Sequence, residues 1–233
     1  MKEKHVLPLY LIFSFLAAVL VIFFVGTAPS DSIPISYLEK VGIAILFILC
    51  CIVGISFTFR PNWLRHYFIR PRDEEKNSRG QIIKSFQGHH PVCPTFQTHT
   101  IHWKEKTWCA GCLGLFIGLC GAILFMFVYM SINFVLTKMT SFLLLFLGLS
   151  ILAIVYVESL YRSRYTLIHV FLTSLLPLGF CVMTIAVGTF VYGFFTILLC
   201  VLWLDTRIQL SKWSHRSLCT NCPESCKMFT PSV

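Results

Sequence analysis

The stretch Leu167–Leu204, LIHVFLTSLLPLGFCVMTIAVGTFVYGFFTILLCVLWL, decides how this chain folds, because it contains no Asp, Glu, Lys or Arg. At about 1.5 Å per residue, a single helix of this length would reach nearly twice the ~30 Å hydrocarbon core of a bilayer. It therefore reads as two transmembrane helices turning near Val187, Gly188 and Thr189. Working outward, the uncharged apolar runs Leu7–Val25, Val41–Phe59, Leu113–Met130 and Ser141–Val157 each fall within the ~17–25 residues needed for one crossing. The expected fold is an all-α integral membrane protein with six transmembrane helices. Composition agrees, with 56% hydrophobic and 12% charged residues and a mean hydropathy of +0.76, where a soluble domain is roughly half apolar and about a quarter charged. The first run follows Lys2 and Lys4, as a signal peptide would, but it is longer than the usual apolar region of about 7–15 residues. Pro29, directly after Ala28, is also a poor residue beyond a cleavage point, so the run is read as a retained helix.

Orientation follows from the basic residues, which favour the cytoplasmic side of short loops. With the amino terminus inside, all 19 Lys and Arg residues except Lys40 and Lys138 fall on the cytoplasmic face. Asp31 and Glu39 balance those two, so the formal excess of +9 belongs to the inner face. The expected location is the cell membrane, multi-pass, with both termini cytoplasmic. The expected partners are the bilayer itself and the anionic lipid headgroups that such a face attracts. Topology accounts for the positive charge, so it gives no argument for nucleic acid.

The chain divides into a first transmembrane hairpin (1–59), a cytoplasmic loop (60–112), a four-helix transmembrane region (113–204) and a cytoplasmic cysteine-rich tail (205–233). Within the loop, RPNWLRHYFIRPR carries Trp63, Leu64, Tyr67 and Phe68 opposite Arg65, His66 and Arg70, the pattern of a short interfacial helix. The linker DEEKNSRG (73–80) carries no apolar stripe. Gly111, Gly114, Gly118 and Gly121 recur at offsets that share one face of the third span, which lets a neighbouring helix approach closely. Glu158, Arg162 and Arg164 sit at the inner end of the fourth span and His169 begins the fifth; Glu158 and Arg162, at i, i+4, read as an interfacial pair. Cys50, Cys51, Cys120, Cys181 and Cys200 lie within spans, where cysteine behaves as a small hydrophobe.

The chemistry-bearing residues are in the loop and tail. The loop reads HHPVCPTFQTHTIHWKEKTWCAGC, giving His89, His90, Cys93, Cys109 and Cys112, with His99 and His102 read as solvated. Two cysteines spaced C-x-x-C can put both sulfurs on one tetrahedral ion, and a pair drawn from His89, His90 and Cys93 would complete a zinc site. The tail reads HRSLCTNCPESC, giving His215, Cys219, Cys222 and Cys226 within a dozen residues. Either each cluster binds its own ion, or Cys109 and Cys112 share one with two tail cysteines. Mixed Cys and His ligands favour zinc, and an iron–sulfur cluster is the alternative. Cytosolic thiols stay reduced, which favours a metal over a structural disulfide.

The run from His89 to Gly118, with HHP, CPTF and then WCAGCLGLFIG, resembles a prokaryotic membrane-protein family defined as domain of unknown function two thousand and eighty-five. Cys109, Cys112, Gly114 and Gly118 match its pattern C-A-x-C-x-G-hydrophobic-x-x-G at a helix entrance. The first part departs from it, with His89 and His90 in place of a Cys-His pair and Cys93 and Pro94 in place of a Pro-Glu-Arg run. The resemblance implies a membrane architecture and a site, and no reaction.

Three functions are compatible with these residues. One is a membrane scaffold or interaction protein with a zinc-stapled headpiece and a protein partner. Another is a metal-linked transporter or permease component, which a polar path between the helices would support and a wholly apolar interior would weaken. The remaining one is an iron–sulfur or dithiol redox protein built on CAGC. Cys109 at a helix start would feel the positive end of the helix dipole. The chain has no phosphate-cradling glycine loop, HExxH or GxSxG, and the expectation leans away from an enzyme.

Overall fold

A computed structural model describes residues 6–28, 36–59, 86–87, 100–103, 106–132, 136–161 and 165–220. It contains six helices long and apolar enough to cross a membrane. These are α1 (Val6–Thr27), α2 (Tyr37–Phe59), α3 (Ala110–Ser131), α4 (Lys138–Tyr161), α5 (Thr166–Ala186) and α6 (Phe190–Thr220). The long apolar run breaks where expected, at Val187–Thr189, and Gly188 takes φ 70 there. A left-handed turn of this kind costs glycine nothing, since it has no Cβ.

Three short strands accompany the six helices: β1 (Phe86–Gln87), β2 (Thr100–Trp103) and β3 (Lys106–Cys109). They form one sheet in the order β1-β3-β2. The local cause is composition, since Thr100, Ile101, Trp103, Thr107 and Trp108 are β-branched or aromatic. β3 continues without a break into α3, so the sheet marks one end of the bundle, here called the sheet end. Helices α3 and α5 begin there, and α2, α4 and α6 finish there.

The sixth helix also differs from expectation. It does not stop with the apolar run at Leu204 but continues to Thr220. Between Gly193 and Pro223 there is neither glycine nor proline to interrupt it.

α5 is the centre of the bundle, with its largest contacts on α3 and α4. The glycine face of α3 makes the first of these possible. A Cβ at Gly114 would lie 2.5 Å from the Val170 carbonyl oxygen, and one at Gly118 would fall on the Ser174 carbonyl and 2.9 Å from Pro177 Cδ. On the other side, a Cβ at Gly148 of α4 would lie 2.9 Å from the Gly179 carbonyl. Lipid tails are as apolar as leucine, so close backbone packing, rather than hydrophobic burial, holds such helices together.

Candidate functional site

The far half of the bundle is apolar, lined by Val21, Phe47, Met126, Leu145, Met183 and Ile197. Its buried threonines return their hydroxyls to their own helices, Thr184 to the Phe180 carbonyl and Thr196 to the Tyr192 carbonyl, each at 2.8 Å. At the rim, Lys40 is buried. Its Nζ donates to the Ile132 carbonyl and lies 4.8 Å from the centre of the Tyr129 ring.

The sheet-end half is different. Trp203, with no exposed surface, donates its Nε1–H to the Ser14 carbonyl at 3.0 Å. Tyr156 donates its hydroxyl to the Trp203 carbonyl at 3.0 Å. These bonds tie α1, α4 and α6 together at one level.

Nearer the sheet, ionisable side chains gather. Glu158 of α4 and Arg207 of α6 are each only 8% exposed. His169 Nδ1, one helix on, lies 2.7 Å from Glu158 Oε1. Arg162 itself lies outside the described residues. Arg207 Nη2 donates to Thr173 Oγ1 at 2.9 Å. Among the described residues, Glu158 Oε2 and Arg207 Nε have no hydrogen-bond partner.

This cluster supports the CAGC turn. Cys109 closes β3 and caps α3 in an extended conformation, with φ −72 and ψ 125, while Cys112 lies one turn into the helix. Both stand at the start of α3, and neither is in a disulfide. Gly111 between them rests on the cluster: a Cβ there would be 3.3 Å from His169 Nε2 and 3.5 Å from Arg207 Nη2. Arg207 is within electrostatic reach of Glu158 and of both sulfurs. Gly111 was legible as a packing glycine. Its contact with a buried cation and an imidazole was not, because Arg207 is remote in sequence and stood on the tail side of the apparent boundary.

Of the other expected ligands, His89, His90, Cys93, Cys222 and Cys226 lie outside the described residues, as do His99, the interfacial helix at 61–71 and the linker at 73–80. His215 and Cys219 fall on the last turns of α6. Among the described residues, no group of three or more His, Cys, Asp or Glu side chains is placed to hold a metal ion. Two thiols do stand together, and the charged group beside them is a guanidinium. No known family model matches the chain, no curated protein matches it, and no solved structure matches its fold.

Proposed function

We propose that this is a multi-pass membrane protein whose Cys109 and Cys112 form a reversible dithiol–disulfide centre at the cytoplasmic face. The observation that carries the reading is the pair Cys109 and Cys112, neither in a disulfide, together at the start of α3 with the buried Arg207 within electrostatic reach of both. A cation there repels a divalent metal and attracts a thiolate, the form in which a cysteine attacks a disulfide. The basic-residue count supports a cytoplasmic location for the sheet end. In that reducing compartment, disulfides are transient and serve catalysis or redox sensing. A centre of this kind rests as the dithiol and gives two electrons to an oxidant.

A second reading retains zinc, and strand topology favours it. β1 runs parallel to β3, with Gln87 opposite Trp108, so the chain leaves β1 at the end of the sheet occupied by Cys109. β2, antiparallel to β3, begins at the same end, with Thr100 opposite Cys109. The sequence between those two strand ends holds His89, His90 and Cys93. With Cys109 and Cys112, Cys93 and one of the two histidines would make a Cys3His set. An ion bound there would staple the loop to the bundle.

The two readings separate on purified protein prepared anaerobically in detergent. Zinc, iron and acid-labile sulfide are measured per chain, followed by free thiols before and after treatment with glutathione disulfide. Loss of two thiols, mapped to Cys109 and Cys112, in protein free of metal supports the dithiol. Stoichiometric zinc with no such loss overturns it in favour of the staple.

A further inference from the structure

If the centre is a dithiol, its two sulfurs are not equivalent. Cys109 is 5% exposed, whereas Cys112 is only half-buried. The backbone of Cys109 is also fixed on both sides, paired with Thr100 in the sheet and capping α3. An incoming disulfide needs an approach along its own S–S axis to the attacking sulfur, so access selects which thiol reacts first. The adjacent sulfur needs no access, because it attacks within the molecule at very high effective concentration.

We infer that Cys112 is the attacking thiol and Cys109 the resolving one, an assignment that rests on the dithiol reading proposed above. The probe oxidant is a small-molecule disulfide, glutathione disulfide. In the first step the Cys112 sulfur bonds to one sulfur of the probe. The S–S bond of the probe breaks, and the first glutathione leaves as a thiolate that takes up the proton given up by Cys112. In the second step the Cys109 sulfur attacks Cys112, displaces the second glutathione and surrenders its own proton. Two electrons pass from the cysteine pair to the probe, giving the Cys109–Cys112 disulfide and two glutathione thiols. Arg207, within electrostatic reach of both sulfurs, neutralises the thiolate at either stage.

The order of attack is tested by trapping. Full-length Cys109→Ser, Cys112→Ser and wild type are treated with glutathione disulfide and mapped by peptide mass. The expected result is a glutathione adduct on Cys112 in Cys109→Ser, at least about tenfold less adduct on Cys109 in Cys112→Ser, and an internal disulfide without adduct in wild type. The reverse pattern, an adduct retained on Cys109 and none on Cys112, overturns the assignment and leaves the dithiol reading intact. Wild type that forms neither disulfide nor adduct at these positions sinks both. Substoichiometric maleimide on unmutated protein gives a second measurement that needs no variant to fold. Cys112 labels first if the assignment holds, and first labelling of Cys109 overturns it.

Discussion

Arg207 and Thr173 join α6 to α5 through a 2.9 Å hydrogen bond from Nη2 to Oγ1, at the level where the proline at 177 has no N–H to return to the Thr173 carbonyl. The guanidinium is buried and faces Glu158. Removing it takes a buried positive charge away from that carboxylate. Arg207→Gln is expected to destabilise the bundle by about 3–5 kcal/mol, the usual consequence of breaking a buried charge pair. Thr173→Val, which removes only a hydrogen bond to a charged donor, costs about 1.5–3 kcal/mol. Unfolding in detergent ranks the two. If Arg207→Gln is as stable as wild type, Arg207 is not the countercharge of this cluster.

The glycines of α3 are not interchangeable. At Gly118 a Cβ meets backbone, the Ser174 carbonyl, which cannot rotate away. At Gly121 the nearest atom is Leu178 Cδ2 at 3.7 Å, an ordinary contact with a mobile methyl group. Gly118→Ala is therefore expected to lower stability by about 1–3 kcal/mol through overpacking, and Gly121→Ala to be tolerated. Equal thermal stabilities for the two variants would show that α3 and α5 do not approach as closely as described.

The spans and their glycine face were legible because they follow from local chemistry. An uncharged run of sufficient length must be helical in lipid, since every backbone polar group needs an internal partner. The turn at Gly188 was legible for the same reason. The polar cluster was not, because it depends on which helices pack together. Glu158 has a basic neighbour four residues on, and Arg162 was the economical partner; only the tertiary arrangement brings His169 to it. Arg207 was hidden by hydropathy: after Asp205 the sequence ceases to look like membrane, although the helix continues. The strands were missed because segments of two to four residues carry no long periodicity.

Trp203 and Tyr156 test how far the sheet-end network acts as a unit. The indole donates to the Ser14 carbonyl, the phenol donates to the Trp203 carbonyl, and the Ser14 hydroxyl lies 3.2 Å from the Tyr156 hydroxyl. Hydrogen bonds inside membrane bundles average ~0.6 kcal/mol and reach about 1.7. Trp203→Phe and Tyr156→Phe are each expected to cost within that range. Because Ser14 belongs to both contacts, the double variant should lose less than the sum of the two. A double-mutant cycle in detergent measures this, and strict additivity would mean that the two bonds are independent.

The turn between α5 and α6 gives the sharpest test of the six-helix topology. Gly188 holds φ 70 while its N–H donates to the Ile185 carbonyl at 3.2 Å, closing α5 before α6 starts at Phe190. Any residue with a Cβ strains that conformation by about 1–2 kcal/mol, and Asn is the best tolerated because its side chain bonds locally. Gly188→Val is therefore expected to destabilise the protein and Gly188→Asn to leave it close to wild type. If the uncharged stretch were instead one continuous helix, Val at this position would be neutral or stabilising relative to Gly. Thermal unfolding of the two variants decides between a turn and an unbroken helix by the sign of the effect.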